Sequence, residues 1–453
     1  MFDRLRSTVL RARQHGDLYF AALLSEQTIS EAFGEASPLW RGWIYTPAVT
    51  VWVFLSQCLS ADHSCRDAVT RLAAWRTTCG RKPCSAETSA DCIARDALPE
   101  EACQELVRRT GREIENRAPA EWLWRGRRVR VVDGSTITMP DSPENQAEYP
   151  QQRSQRPGCG LPLARILVVF SLSVGTVVDA AIGKYHGKQT GENSLFRTLH
   201  ESLVVGDVVL ADRYFSGWFD IALLAEHGVD VVVRKHQLRA TDFRSGQRLG
   251  KDDHLMHVSK PQRPAWLSPA EYAALPAELV LREVRVRVKQ RGFRTKTLVV
   301  VTTLVDAEAF PAAEIAELYR RRWQAELHLR SLKVVLQMDH LRCKTPHRVR
   351  NEFHMHLLAY NLVRGVMALA AAGANIPPWQ ISFKGTLQSL NNFLPLLGSC
   401  MPLEAGCRAL LDLVASHVVG NRPDRYEPRR IKRRPKPHKL MQRPRHQYKR
   451  LAA

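Results

Sequence analysis

The sequence predicts an α/β fold in which helices pack on a sheet, with a helical region before it and a basic tail after it. The first observation is that apolar segments of strand length alternate with helical segments between residues 127 and 235. Their order is three strands, helix, strand, helix, strand, which is typical of an α/β sheet. The second is that 45% of the 453 residues are hydrophobic, which excludes a largely disordered chain.

Residues 1–125 predict a helical N-terminal domain. The run from Pro47 to Trp75 has helical spacing, and the Gly/Pro/Cys-rich residues 79–85 end it. A helix-turn-helix is compatible with this region, but its residues do not specify one. The ten cysteines include no C-x-x-C pair, so reduced thiols are favoured over a zinc site.

Residues 126–235 predict the first part of an α/β core. The segment RRVRVVDGSTITMP predicts a strand that ends at Asp133-Gly134, and a Pro/Gln/Arg-rich loop follows over about 140–162. The remaining predicted elements are a strand pair turning at Val174-Gly175, a helix over 191–203 with Glu192 near its start, a short strand leading into Asp212, a helix around 217–227 and a strand over 230–235.

Residues 236–309 interrupt this alternation and predict a β-rich insertion. One strand of the insertion alternates strictly, with Val284, Val286 and Val288 on one face and Arg285, Arg287 and Lys289 on the other, which predicts a basic face. Residues 310–372 predict core helices, beginning with a long helix from about Ala312 to Leu336, and residues 373–420 predict a C-terminal helical region. Residues 421–453 predict a basic, largely unpacked tail.

Just over half of the net charge of +21 lies in that tail, which contains 13 Lys or Arg and two acidic residues and so has a net charge of +11. Such a balance indicates a polyanionic partner, and nucleic acid is favoured over an anionic membrane surface. No apolar run reaches the roughly 18 residues of a membrane span, because Arg364 interrupts the stretch 357–376. The N-terminus carries charges where a signal peptide is apolar. We therefore predict a soluble, cytoplasmic, nucleoid-associated protein without a membrane partner.

Three acidic residues are candidates for a metal site. Asp133 and Asp212 follow predicted strands, where functional side chains of α/β sheets gather, and Glu326 lies on the long helix. Three hard oxygen donors suit Mg²⁺ or Mn²⁺, and two such ions are suited to phosphodiester chemistry. The alternative is an Asp-Gly turn and a solvated helix charge. Asp141 is the other candidate for the first ligand, but its Pro-flanked loop favours Asp133.

The long helix adds four residues with offsets of 0, 3, 7 and 14, which are Tyr319, Arg322, Glu326 and Lys333. At about 3.6 residues per turn, they fall on one face of an α-helix. A helix face with these side chains is poorly suited to packing in a hydrophobic core. It suits the binding of a metal ion and phosphates, because it combines a phenol, a guanidinium, a carboxylate and an ammonium. An exposed Arg322–Glu326 pair is the alternative interpretation.

At these residues the chain resembles a family. The Y-x2-R-x3-E-x6-K pattern at 319–333, with VVDGST before it and LADRYF between, resembles the DDE transposases of the insertion-sequence-four family. The resemblance covers roughly residues 127–370 and implies an RNase H-like core with Asp133, Asp212 and Glu326 as catalytic residues that hold two Mg²⁺ or Mn²⁺ ions. It also implies that Tyr319, Arg322 and Lys333 contact transposon-end DNA, and that the helical N-terminal domain over residues 1–125 binds DNA.

By the same resemblance, a homodimer in a synaptic complex hydrolyses phosphodiesters at terminal inverted repeats of double-stranded DNA, and each freed 3′-OH attacks target DNA. Some relatives form a hairpin and stack a flipped base on an aromatic residue of the insertion. Trp266 is the insertion's one tryptophan, and a packed structural residue is the alternative for it. The competing functions are a nuclease of the same fold without strand transfer and an inactive DNA-binding relic.

Overall fold

The computed structural model describes residues 24–34, 44–287, 297–394, 396, 402–420 and 440–451. The chain divides into two compact units. Among the described residues, the helical unit comprises those within 1–129, 168–180 and 325–419, and the sheet unit comprises those within 130–167, 181–324 and 420–453.

Nine strands in the described part of the chain form one mixed sheet, in the order β3-β2-β1-β4-β5-β9-β8-β7-β6. The strands are β1 (Val129–Thr138), β2 (Leu163–Ser171), β3 (Val177–Lys184), β4 (Val208–Ala211), β5 (Asp230–Arg234), β6 (Gln247–Gly250), β7 (Asp253–Ser259), β8 (Glu278–Arg287) and β9 (Thr297–Thr302). Strands β4 and β5 pair in parallel. The pairs β5–β9, β9–β8, β8–β7 and β7–β6 are antiparallel. With the helices described next, this sheet confirms the predicted α/β class.

The helices are α1 (Glu26–Phe33), α2 (Pro47–Leu59), α3 (Cys65–Thr78), α4 (Ser89–Asp96), α5 (Glu100–Asn116), α6 (Pro143–Glu148), α7 (Glu192–Arg197), α8 (Trp218–Glu226), α9 (Pro269–Ala274), α10 (Ala312–Arg320), α11 (Gln324–Arg330), α12 (Pro346–Ala374), α13 (Phe383–Phe393), α14 (Leu403–Ser416) and α15 (Arg445–Leu451). The described part of residues 1–125 is helical, and α3 ends just before residues 79–85, both as predicted.

Helix α12 is the centre of the helical unit, and it holds the predicted turn at Val174-Gly175. Asn361 accepts the N–H of Val177 at 2.7 Å and donates to the carbonyls of Val177 and Val107 at 2.9 and 3.1 Å. Arg364 donates to the Val174 carbonyl, and Gly175 adopts a φ of +74°, which favours glycine at this turn. These buried polar side chains therefore satisfy the backbone groups that the turn exposes.

Contrary to the expectation that no apolar run reaches the length of a membrane span, α12 is, among the described residues, the one helix long and apolar enough to cross a membrane. In this protein, 72% of its apolar window is buried inside the fold, as in the core helix of a globular domain.

The described residues within 236–309 form β6 to β9 and α9, and these four strands continue the sheet beyond β5. Strand β9 pairs with β5, so that Val300, Val301 and Thr302 lie opposite Arg234, Val233 and Val232. Val284 and Val286 are buried while Arg285 and Arg287 are exposed, as the alternation predicted. Val288 and Lys289 lie outside the described residues.

Three expectations need correction. Strand β1 does not end at Asp133-Gly134 but continues to Thr138, because Gly134 sits in a strand interior where another side chain approaches closely. The Pro/Gln/Arg-rich loop begins with α6, which Ser142 caps. The tail is not wholly unpacked, because its described part contains α15, and the guanidinium of Arg156 binds a tail carbonyl.

Candidate active site

Two polar residues, Asp212 and Arg234, lie side by side at the carboxyl ends of β4 and β5. Ala211 lies opposite Val233 in this parallel pair, so Asp212 and Arg234 are the next residues of neighbouring strands. The carboxylate of Asp212 accepts the N–H of Tyr214 at 2.7 Å and thereby caps the 3₁₀ turn Arg213–Phe215. The prediction that Asp212 follows a strand is confirmed, and the carboxylate is oriented by the backbone.

Asp133 lies on β1, the other neighbour of β4 in the sheet. Its carboxylate accepts the N–H of Gly134 at 3.0 Å. Three residues earlier, buried Arg130 pairs with buried Asp207 at 2.9 Å, and Asp207 immediately precedes β4. This ion pair therefore joins the start of β1 to the residue that precedes β4. The two aspartates therefore stand on adjacent strands of the same unit.

Glu192, the first residue of α7, occupies the space beside Gly134. A methyl group placed on Gly134 would lie 2.5 Å from the carboxyl carbon of Glu192, so only glycine fits there without displacing that side chain. Arg165 binds the Glu192 carboxylate at 3.1 Å. Burial, together with the charge of Asp212, raises the pKa of Glu192, while Arg165 opposes the shift. Glu192 is therefore a further carboxylate near Asp212, and it packs beside Gly134, the residue after Asp133.

Tyr319 and Arg322 lie in the sheet unit with Asp212. Tyr319 is 7% exposed, and burial raises its pKa to about 12, with Asp212 adding to the shift and Arg322 and Arg234 opposing it. The phenol also shares a hydrogen bond with Arg322. At neutral pH it is therefore protonated and can donate a hydrogen bond. This cluster brings two residues of the motif to the Asp212 strand end.

The other two motif residues, Glu326 and Lys333, belong to the helical unit. The expectation of one regular helix over 312–336 is wrong. A 3₁₀ turn at Arg321–Trp323 separates α10 from α11, and the π-helical segment Ser331–Val335 contains Lys333. A 3₁₀ turn contains fewer residues than the 3.6 of an α-helical turn, and a π-helical turn contains more. The offsets of 0, 3, 7 and 14 therefore do not place the four motif residues on one helix face.

Sequence reasoning gave no functional role to Glu192 and Arg234. The sequence signal for Arg234 was its position as a basic residue at the end of an apolar strand. Asp212 occupies the comparable position after the preceding strand. The signal for Glu192 was an acid opening a helix in GENSLF. Neither signal identifies the distant residues that Glu192 and Arg234 approach in the folded protein.

The donor set of the sheet unit fits a divalent cation in its chemistry. Carboxylate oxygens are the ligands that Mg²⁺ and Mn²⁺ prefer. Glu192 is one such carboxylate near Asp212, and burial together with the charge of Asp212 raises its pKa. Over the described ranges, no group of three or more His, Cys, Asp or Glu side chains is assembled in a geometry that could hold a metal ion.

Trp266 is half-buried and packed in the sheet unit. The guanidinium of Arg197 lies 3.5 Å from the ring centroid, and Phe219 meets the ring edge-on at 6.2 Å. Asp220 fixes Arg197 from the other side at 2.7 Å. A base that stacked on this face of Trp266 would therefore have to displace Arg197.

The predicted basic face of β8 is partly neutralised. Arg285 and Arg287 both pair with Asp252, at 2.8 and 3.0 Å. Arg285 also lies 4.5 Å from the ring centroid of Phe243. These arginines are exposed but engaged, so their attraction for an anionic partner is reduced.

Comparisons with known proteins show which family the chain is similar to. Residues 124–362 match the family model of the transposase DDE domain. The transposase InsG of insertion sequence element IS4 from Escherichia coli (strain K12) is 28% identical over 395 residues, which cover 85% of each chain. The putative transposase InsL of element IS186A from the same organism is 32% identical over 104 residues, or 22% of this chain and 28% of that protein.

A solved structure of a piggyBac transposase synaptic complex with hairpin DNA aligns with 88% of this chain and 84% of that chain, with 10% identity and a TM-score of 0.39.

Proposed function

This chain belongs to the DDE transposase family, in the insertion-sequence-four group, and from that premise we propose a cut-and-paste mechanism for its metal-dependent cleavage and joining of DNA. In this proposal, the enzyme hydrolyses phosphodiesters at the ends of its element and joins the 3′-OH ends to target DNA. The observation that carries the proposal is the placement of Asp133 and Asp212 on adjacent strands, within the matched residues 124–362.

We assign Asp133, Asp212 and Glu326 as the residues that would hold two Mg²⁺ or Mn²⁺ ions on an RNase H-like core. The assignment of the two aspartates is supported by their positions, since Asp133 lies on β1 and Asp212 directly follows the neighbouring strand β4. The assignment of Glu326 is supported by its position in the Y-x2-R-x3-E-x6-K motif. When bound, the ions would activate the attacking oxygen and stabilise charge on the leaving oxygen. The chain's contribution is orientation, because backbone N–H groups fix one oxygen of each aspartate.

The residues around Asp212 supply positive charge and a hydrogen-bond donor for DNA. Arg322 and Arg234 lie near the protonated Tyr319, so phosphate oxygens close to Asp212 would meet two guanidinium groups and a phenol. Lys333 and Trp266 are proposed to contact transposon-end DNA as well, and Trp266 would do so by its edge or after Arg197 moves. The proposed partners are terminal inverted repeats, target DNA and a second copy in a synaptic homodimer, acting in the bacterial cytoplasm at the nucleoid.

Strand transfer separates this function from its alternatives. With a labelled transposon end and a plasmid target in Mg²⁺, we expect cleavage followed by covalent joining of the label to the plasmid. Cleavage without joining would indicate a nuclease. Binding without either reaction, in Mg²⁺ or Mn²⁺, would indicate an inactive relic.

Replacing Arg322 with alanine is expected to lower transposon-end cleavage about 10- to 100-fold, because a charge-assisted phosphate contact near Asp212 is lost. The matched control is Arg320→Ala, which removes the same charge from the end of α10, where Arg320 is exposed and paired with Glu317. Cleavage rates at equal enzyme and DNA concentrations check the prediction. Equal losses in both variants would contradict a specific role for Arg322.

A further inference from the structure

The described part of the basic tail is anchored to the loop that follows α6. Residues 440–451 form a turn and helix α15, in which the hydroxyl of Tyr448 accepts the N–H of Gln442 at 2.9 Å. The guanidinium of Arg156 donates to the carbonyl of Gln442 at 3.3 Å. A methyl group placed on Gly158 would lie 3.0 Å from the ring of Pro444, so the two segments are in close contact.

The loop itself is organised by one side chain. The amide oxygen of Gln151 accepts the N–H groups of Gly158 and Gly160 at 3.0 and 3.1 Å. Its amide nitrogen donates to the carbonyls of Gln155 and Arg156 at 3.2 and 2.8 Å. Gln151 therefore satisfies four backbone groups and shapes the loop on which the tail rests.

The two segments together are strongly basic. Residues 151–160 and 440–451 contain no acidic residue. Their Lys and Arg residues are Arg153, Arg156, Arg443, Arg445, Lys449 and Arg450. Arg153, Arg156, Arg443 and Arg445 are exposed. A cluster of arginines on an ordered support suits the phosphate backbone of a duplex, since little conformational entropy is lost when it binds.

We propose that residues 151–160 and 440–451 form one composite surface for the phosphate backbone of duplex DNA, which we call the tail–loop surface. This inference rests on the proposed function for its partner, and it specifies where DNA is held outside the motif residues. It differs from a tethered basic tail, because the position of the tail charges depends on Gln151 and Arg156.

Binding to a duplex of about 40 base pairs and arbitrary sequence tests the surface, because phosphate contacts are independent of sequence. The full-length Arg443→Ala/Arg445→Ala variant is expected to bind roughly 10- to 30-fold more weakly at 0.15 M salt, and its slope of log K against log salt should flatten by about 1.8. The matched control is Arg429→Ala/Arg430→Ala, which removes the same charge from the tail. Equal losses in the two double variants would overturn the proposal.

A charge-neutral variant tests the docking. Gln151→Ala keeps every positive charge but removes the centre of the loop, so we expect a several-fold loss of affinity and faster hydrogen exchange in both segments. Wild-type affinity and exchange would refute the composite surface. Strand transfer by the wild-type protein is measured separately: its absence would refute the proposed function, while the contrast between the two double variants would still decide the surface.

Discussion

Replacing Asp212 with asparagine is expected to lower transposon-end cleavage in Mg²⁺ by about a thousandfold or more. Asparagine preserves size and can still accept the N–H of Tyr214, but it removes the negative charge that a divalent cation requires at the end of β4. A loss of this size corresponds to about 4 kcal/mol of transition-state stabilisation. Single-turnover cleavage of a labelled end at saturating DNA measures it.

Asp141 provides the matched control, because it is an exposed acid eight residues after Asp133 that accepts a hydrogen bond from Gln146 at 2.7 Å. Asp141→Asn should cleave at the wild-type rate, whereas Asp133→Asn and Glu326→Gln should match Asp212→Asn. DNA binding by Asp212→Asn should not weaken, since removing a carboxylate reduces repulsion of phosphate. Intact cleavage by Asp212→Asn would show that the three-acid site is wrong.

Replacing Arg282 with methionine is expected to lower the free energy of unfolding by about 3–5 kcal/mol. Arg282 is fully buried on β8 and binds both oxygens of Asp253, at 2.8 and 2.5 Å. It also donates to the carbonyl of Phe310 at 2.7 Å and approaches those of Leu304 and Asp306 at 3.4 Å. Methionine would leave a largely buried carboxylate and these carbonyls without their donor.

Urea denaturation followed by tryptophan fluorescence measures this loss. Arg287→Met on the same strand is the control, because Arg287 is exposed and its pair with Asp252 should contribute less than about 1 kcal/mol. The double variant Arg282→Met/Asp253→Leu should recover part of the stability, since no unpaired charge remains buried. If Arg282→Met were as stable as Arg287→Met, the buried pair would not have the role assigned to it.

The sequence predicted most elements of the sheet unit, because its strands are short apolar runs bounded by turn residues. The strand ending before Asp212, the helix starting at Glu192 and the strand over 230–235 all follow from local pattern. Candidate residues emerged for the same reason, since acids after buried strands are visible in one dimension. The DNA-binding role of the N-terminal helices and the roles of the individual site residues remain predictions.

The features that sequence reasoning missed depend on partners distant in the chain. Strand β1 continues past Asp133 because Gly134 leaves room for Glu192, a residue 58 positions later. Arg234 reaches the site because β5 lies beside β4 in a fixed register. The 3₁₀ and π-helical turns between residues 321 and 335 also escape a periodicity argument, which assumes one regular helix.

The pairing of β9 with β5 limits how this protein can evolve. Strand β9 belongs to the insertion, yet it covers the edge of the strand that ends in Arg234. Decayed gene copies that lost residues 236–309 would encode a protein whose strand β5 is a bare apolar edge, prone to aggregation. We therefore expect viable descendants to vary the outer strands β6 and β7 in length and sequence while keeping β9, so that insertion and catalytic core are inherited as one unit.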